Sequence, residues 1–445
     1  MLRQLTKKII PKKMLNFRHL FWAWYGAIKY DHPSEKLMVI GVTGTSGKSS
    51  LIHFLRQMLE SQGYKVGSLS TVDFYIGGEE KLNDQKMTML GRMQIQKYLR
   101  QMVDVGCDIA IVETTSEGFL QYRHRFINYD TIILTNLYPE HIESHGSFAN
   151  YKSAKLGIFE YIVSQKSKIK NKKSFDKVAI VNGNCKYAQE FLQFDFDNKI
   201  IFANSDKNIY AKKETITKEQ VFVSDISFDH SGLHFKIDNR EFINKNIYAE
   251  YNAMNILGGI AVLRNLDIAW SKIAEAVEKL KPAPGRLEFI PKAKKNNFRV
   301  LVDYAFEPVA LQSLYSLVEK LKVNKVIHVC GSTGGGRDVA RRPKIGKIVG
   351  EKADIIIVTN EDPYDEDPEQ IIRQVSEGAI QAGKKKDINL FEIVDRRDAI
   401  KKALELAREG DLVIVTGKGS EQAICVKDNK MIPWDDREVI RELLK

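Results

Sequence analysis

The chain predicts an α/β protein built from two successive blocks of mainly parallel sheet, and three observations carry that prediction. Short apolar runs alternate with helical stretches from residue 36 onward, the pattern of strands covered on both faces. A glycine-rich turn joins the first apolar run to the first helical stretch. The segment Pro282-Ala283-Pro284-Gly285 then interrupts the alternation, because proline and glycine resist both helix and sheet.

In the first block, residues 37–40 read as a strand, and residues 50–59 have helical spacing through Leu51, Phe54, Leu55 and Met58. Further buried strands are expected at 109–112, 131–134 and 178–181. Residues 226–242 alternate polar and apolar, and Asp229-His230-Ser231-Gly232 reads as a hairpin turn. Residues 251–266 return to helix. In the second block, strands are expected at 300–302, 325–329, 355–358, 390–393 and 412–415. These readings divide the chain into a segment 1–37, a central domain 38–284 and a C-terminal domain 285–445. The lysine-rich stretch 166–173 reads as an exposed loop.

Composition narrows the class. The chain has 445 residues, 43% of them hydrophobic, which allows two or three packed domains. Cys107, Cys185, Cys330 and Cys425 form no CxxC pair, which argues against a zinc site or disulfide framework and fits a cytoplasmic protein. No apolar stretch approaches the roughly 20 residues of a spanning helix. The formal net charge is +11, and residues 1–37 hold eight Lys or Arg against two acids. No aromatic RNA-binding signature accompanies that charge, so nucleic acid is not expected as a partner. Phe21, Trp22, Trp24, Tyr25 and Ile28 follow basic residues in this segment. The pattern suits peripheral contact with an anionic membrane surface, and equally a helix packed on the body of the protein.

Gly41-Val42-Thr43-Gly44-Thr45-Ser46-Gly47-Lys48-Ser49 lies between the first expected strand and helix. Glycines there let backbone N–H groups wrap around phosphates. Lys48 would neutralise the β- and γ-phosphates of ATP, and the Ser49 hydroxyl would ligate Mg²⁺.

From this loop on, the sequence resembles the Mur ligases, which build the peptide of bacterial cell-wall precursors, and it is most similar to the MurE type. Gly44 to Ser49 resembles GTxGK(S/T). Glu113-Thr114-Thr115-Ser116-Glu117-Gly118 is similar to ExSSHG, and Thr135-Asn136-Leu137 with His141 and His145-Gly146 to TNLxxDHxDxHG. Residues 151–159 match the segment that carries the family's carbamylated lysine, which falls on Lys155. Asn252 to Asn255 resembles F-N-x-x-N, and Pro284 to Glu288 resembles PGRxE. Asp303-Tyr304-Ala305 with Pro308 resembles DYAHxPxAL, and Gly331 to Pro343 resembles CGGDRDxxKRP with Arg337 and Asp338 in place. Asp395 to Ile400 resembles DRxxAI, and Gly417-Lys418-Gly419 with Glu421 resembles GKGHE.

The resemblance implies a P-loop parallel-sheet ATPase domain followed by a Rossmann-like C-terminal domain. It implies an ATP- and Mg²⁺-dependent ligase acting on a muramyl peptide and a free amino acid through an acyl phosphate. Lys48, Glu113, His141 and Lys155 would be catalytic, the metal resting on Ser49, Glu113, His141 and carbamylated Lys155. ATP would meet Gly44 to Ser49, Asn136, Asn252, Arg286, Asp303 and Tyr304. The acceptor would meet Thr88, Thr115, Ser116 and Arg123; the amino acid would meet Arg337, Glu361, Asp362, Tyr364, Gly417 and Glu421. Closure about the Pro284-Gly285 hinge would bring the reactants together.

Departures from the family pattern shape the substrate. Ser420 and Phe306 replace histidines, and Glu117 replaces the histidine of SSHG. At Glu361-Asp362-Pro363-Tyr364, diaminopimelate-adding enzymes have DNPR, and a tyrosine lacks that arginine's charged fork. An acidic pocket without it should prefer a basic amino acid, unless another arginine such as Arg341 or Arg396 enters. A MurE-type enzyme usually begins with a uridine-nucleotide domain of about a hundred residues; 37 residues precede the first strand here. The acceptor is therefore UDP-linked or lipid-linked. The rival readings are a folylpolyglutamate-like ligase, a P-loop NTPase without an amine acceptor, and an inactive scaffold.

Overall fold

The computed structural model describes residues 12–85, 87–140, 145–165, 176–218, 220–229, 231–291, 297–336 and 339–445. The expected loop at 166–173, His141 and Arg337 lie outside the described residues. The chain divides after Lys281 into two compact units, slightly upstream of the expected boundary at 284/285, and residues 12–37 fall within the first unit.

The first unit is organised by a single 11-stranded sheet. β1 (Met38–Thr43) lies near its middle, between β5 (Ile109–Glu113) and β6 (Thr131–Leu134), with all three parallel. β2 (Val66–Leu69) extends the parallel set on one side. β7 (Val178–Asn182), β8 (Asn198–Asn204) and β9 (Gln220–Asp229) extend it on the other. Antiparallel pairs close both edges: β3 (Asp73–Ile76) with β4 (Glu79–Leu82), and β10 (Gly232–Ile237) with β11 (Arg240–Asn244). Every residue of β1 is buried, which is why this strand reads as a continuous apolar run and not as an alternation.

Helices cover both faces. α1 (Lys12–Lys29) packs on α3 (Arg92–Asp104), and α2 (Lys48–Ser61) on α7 (Glu250–Asn265). α5 (Phe148–Val163) packs on the short α4 (Ser116–Leu120); α6 (Ala188–Leu192) and α8 (Trp270–Lys279) complete the unit. Val39, Val112, Ile132, Ile158 and Phe159 share one fully buried cluster. Each such side chain contributes about 1.5–3 kcal/mol.

The second unit has a 6-stranded sheet in the order β12-β13-β17-β14-β15-β16. β12 (Glu288–Phe289) is the antiparallel edge. β13 (Arg299–Asp303), β17 (Leu412–Thr416), β14 (Val326–Cys330), β15 (Ile355–Thr359) and β16 (Leu390–Ile393) are parallel. α9 (Pro308–Val318), α10 (Arg341–Lys352), α11 (Pro368–Gln381), α12 (Arg396–Leu406) and α13 (Asp436–Leu443) flank it, and a small hairpin of β18 (Ala423–Val426) and β19 (Lys430–Pro433) follows β17. Val300, Val329, Ile357, Ile400, Val415 and Ile440 form its core.

Candidate active site

Register gathers the first site. Val42 pairs with Glu113 and Thr43 with Leu134. The loop after β1, the last residue of β5 and Asn136 beyond β6 therefore meet at the carboxyl ends of three adjacent strands, where open parallel sheets bind ligands. Gly44 (φ 147) and Gly47 (φ 78) have positive φ. A Cβ on Gly44 would strike Thr135 Oγ1, and one on Gly47 would lie 2.4 Å from Asn255 Oδ1, so both glycines are required by space as well as by backbone conformation.

The loop is braced from outside. Asn136 Oδ1 accepts from the backbone N–H of Thr45 at 3.1 Å and of Ser46 at 2.9 Å. Thr135 Oγ1 donates to Ser46 O at 2.7 Å. Asn255 Nδ2 donates to Asn252 Oδ1 at 3.2 Å, and Asn255 abuts Gly47.

Lys48, Lys155 and Glu113 converge on this cradle, and the charge of Glu140 reaches Lys155 as well. Lys48 Nζ lies 3.9 Å from Glu113 Oε1 and donates to Thr45 O at 2.9 Å. Ser49 Oγ donates to Glu113 Oε2 at 3.0 Å. The same oxygen accepts from Thr71 N at 2.7 Å and Thr71 Oγ1 at 3.0 Å. Lys155 is 1% exposed and donates to Gly44 O at 2.8 Å. Burial, reinforced by the nearby Lys48 charge, holds the Lys155 pKa well below its ordinary value. The free amine, the form that adds CO₂, is favoured there.

Oxygen donors from Ser49 and Glu113 suit a hard cation. Among the described residues no group of three His, Cys, Asp or Glu side chains forms a cation cage.

The residues expected at the acceptor lie beyond β5 and before α3. The Thr115 side chain caps α4 by accepting from Gly118 N at 3.0 Å. Ser116 Oγ is 3.1 Å from His145 Nε2. Arg123 bonds Met89 O and Gln121 Oε1. Thr88 is half-buried.

The second unit concentrates the opposite charge at the carboxyl ends of its own parallel strands. Lys418 is fully buried and donates to Asp362 Oδ1 at 3.0 Å and Glu421 Oε2 at 2.5 Å. Asp362 also accepts from Cys425 N at 2.6 Å, and Glu421 from Tyr304 Oη at 2.9 Å. Arg286 stacks on the Tyr304 ring at 4.1 Å. Asp303 accepts from the N–H groups of Leu287 and Ala305, and burial raises its pKa against the pull of Arg286. Glu361 is buried beside Gly417, and its Oε2 has no hydrogen-bond partner. Burial pushes its pKa up to about 7, against the opposing pull of Arg396 and Lys418.

Of the two alternative arginines, Arg396 lies close enough to act on the Glu361 charge. Arg396 is paired with Asp436 through two contacts of 2.8 Å. Arg341 lies over the Phe306 ring at 5.4 Å.

Comparison with known proteins agrees with this geometry. Residues 42–263 match the Mur ligase middle domain, and residues 285–419 the Mur ligase glutamate ligase domain. A UDP-N-acetylmuramoyl-L-alanyl-D-glutamate--2,6-diaminopimelate ligase of Clostridium botulinum is 34% identical over 416 residues, covering 94% of this chain and 80% of the relative. A UDP-N-acetylmuramyl-tripeptide synthetase of Borreliella afzelii is 34% identical over 444 residues, covering 98% and 81%. The chain belongs to the Mur ligase family.

Solved structures share the fold of this Mur ligase. A diaminopimelate ligase superposes with a TM-score of 0.60 at 24% identity, covering 92% of this chain and 78% of that one. The Mycobacterium tuberculosis folylpolyglutamate synthase complexed with ADP and AMPPCP superposes with a TM-score of 0.68 at 14% identity, covering 96% and 95%. Members of the family are ATP-dependent ligases.

Lys48, Ser49, Glu113, Asn136 and Lys155 of the ligase come together in the first unit, and Asn252 is hydrogen-bonded to Asn255, which abuts Gly47. Arg286, Asp303 and Tyr304, expected at ATP, belong to the second unit, where Tyr304 joins Glu421 of the expected amino-acid group. Two residues of these clusters are not marked by the sequence: Thr71, which has no motif around it, and Lys418, whose bonds to Asp362 and Glu421 no local pattern within the GKG stretch records.

Proposed function

We propose that this chain joins an amino acid to the carboxylate of a cell-wall muramyl peptide by way of an acyl phosphate. The supporting observation is the cradle of Gly44 to Ser49, where Lys48 lies 3.9 Å from Glu113 and the buried Lys155 donates to Gly44 O. A carboxylate does not condense with an amine at neutral pH, because oxide is too poor a leaving group. Transfer of the γ-phosphoryl of ATP to the carboxylate oxygen releases ADP. The amine nitrogen then attacks the acyl carbon, and phosphate leaves with the C–O electron pair. Lys48 neutralises charge on the transferring phosphoryl group, and the loop N–H groups orient it. Ser49, Glu113 and a carbamylated Lys155 would hold Mg²⁺, which supplies further neutralisation of phosphate charge.

The amine substrate on this reading is lysine, ornithine or another basic amino acid. Lys418 shares its one positive charge between Asp362 and Glu421, so the acids outnumber it, and Glu361 beside them, with Oε2 free of a hydrogen bond, is the acid that would attract a substrate ammonium. The enzyme works in the cytoplasm and touches the inner face of the membrane through its N-terminal segment. The test is ADP release measured over amino acids crossed with UDP-linked and lipid-linked muramyl peptides. Release that depends on both an amino acid and a muramyl acceptor is expected; release that ignores the acceptor refutes the assignment.

A further inference from the structure

Helix α1 turns its apolar side outward. Its small residues Ala23, Gly26 and Ala27 are buried, and the helix packs on α3. Its large ones are exposed: Phe17 is 72% accessible, Trp24 45% and Ile28 48%. The Phe21 ring lies 5.5 Å from Trp22, 5.9 Å from Trp24 and 6.2 Å from Tyr25, so the exposed rings form one contiguous patch. A patch of this kind marks an interaction surface.

A cationic cluster borders it. At 3.6 residues per turn, Arg18 falls within the exposed arc between Tyr25 and Trp22, and His19 falls toward α3. Arg92 opens α3 and donates from Nε to Gln121 O at 2.8 Å; Arg123 donates to Gln121 Oε1 at 2.7 Å and to Met89 O. Their remaining donors, Arg92 Nη2 and Arg123 Nε, are buried without an acceptor. Buried donors of this strength normally have partners. Glu117 is the acid that acts on Arg123, and Asp31 at the end of the helix is taken by Lys36 and Arg100. Burial, then Arg92, Arg18 and Arg123, push the His19 pKa down to about 4, so it adds no positive charge at neutral pH. The missing partner of the cluster is an anion.

We propose that α1 docks on an anionic phospholipid bilayer, its aromatic face in the interface and a lipid phosphate held by Arg18 and Arg92 with Arg123 behind them. The inference rests on the membrane contact proposed above and gives it residues and a ligand. Trp and Tyr rings settle at headgroup depth, which puts lipid phosphates level with Arg18. Acidic partners of other kinds would match the cations but not the aromatic face.

Sedimentation of the full chain with vesicles tests this, without ATP or acceptor, so the result is separable from ligase activity. The protein should sediment with phosphatidylcholine–phosphatidylglycerol vesicles and far less with phosphatidylcholine alone. Its tryptophan emission should shift to the blue. Replacing Phe21 and Trp24 together by serine should cut binding at least about tenfold, and Arg18→Gln or Arg92→Gln about fivefold each. Phe17→Ser, at the most exposed position, should act in the same direction without touching the packed side. ADP release with a soluble acceptor should be unchanged in the aromatic variants. Failure to bind anionic vesicles, equal binding to neutral ones, or conversion of an oligomer to monomers by the aromatic substitutions would overturn the proposal.

Discussion

The two units gather charged side chains at the same place in the fold. At the carboxyl ends of the first sheet, Lys48 lies 3.9 Å from Glu113, and the buried Lys155 feels the charges of Glu140 and Glu113. At the carboxyl ends of the second, one lysine, Lys418, bonds both Asp362 and Glu421, and Glu361 beside them lies within the pull of Arg396. On the proposed reading the first site takes phosphate and the second an ammonium group. A parallel sheet provides the crevice in both, and the side chains at the strand ends set its polarity.

The largest expected effect comes from emptying the first site of Lys48. Lys48→Ala should lower ATP turnover by at least about 10²–10³-fold in a protein that still melts cooperatively. A folded variant with wild-type ADP release would break the comparison at its stronger end.

Lys155 tests whether that site's second cation is a cation at all in the active enzyme. Burial shifts its pKa downward and so favours the neutral amine, the form that attacks CO₂, loses a proton and becomes an anionic carbamate. Lys155→Arg keeps a positive charge but should lose activity by about a hundredfold. A carbamate ¹³C signal should appear when the wild-type enzyme takes up labelled bicarbonate and be missing in the variant. Full activity in Lys155→Arg would show that the metal site is completed otherwise.

The second site has its own pH signature. The Glu361 pKa is raised to about 7, so the group is neutral below that pH and a carboxylate above it. KM for the amino acid should therefore rise as pH falls through about 7. In Glu361→Gln the rise should vanish, with KM about ten- to a hundredfold higher at pH 8, the worth of a hydrogen bond to a charged group. A pH profile identical in the two proteins would remove Glu361 from the amine site.

What the sequence disclosed differs between the units for the same physical reason. Buried parallel strands such as Met38–Thr43 and Leu412–Thr416 are continuous apolar runs and were legible. So was the phosphate loop, where glycines and Lys48-Ser49 act within a few residues of one another. The β3–β4 hairpin was not legible, because its second strand reads Glu-Glu-Lys-Leu at an exposed edge. Thr71 reaches Glu113 across 42 residues, and no local pattern records such a contact. The three acids of the second site were legible as acids. That Lys418 bonds two of them emerges only when the chain folds, and it turns the amine argument from a generally acidic pocket toward Glu361. The aromatics of α1 were visible as a basic, ring-rich stretch; that Ala23, Gly26 and Ala27 take the buried side was not.

The smallest expected effect probes the selectivity of the second site. By the sequence resemblance Tyr364 falls at the arginine of the DNPR pattern, in a left-handed conformation (φ 53) with its N–H bonded to Cys425 O at 3.1 Å. Its ring lies against Gly335. A tyrosine offers no charge to a second carboxylate, so meso-diaminopimelate would bring an unpaired anion next to Glu361. Lysine and ornithine bring an ammonium group instead. Steady-state ligation should therefore favour the basic amino acids. Tyr364→Arg should shift the kcat/KM ratio toward meso-diaminopimelate by about tenfold, the lower end for a charge-assisted bond. The shift falls short of a full switch because arginine must adopt the same left-handed backbone and Glu361 remains to repel the new carboxylate. The double variant Tyr364→Arg with Glu361→Gln should move the ratio further than either substitution alone. A wild-type enzyme that already prefers meso-diaminopimelate would refute the charge argument for the second site while leaving the phosphate cradle of the first untouched.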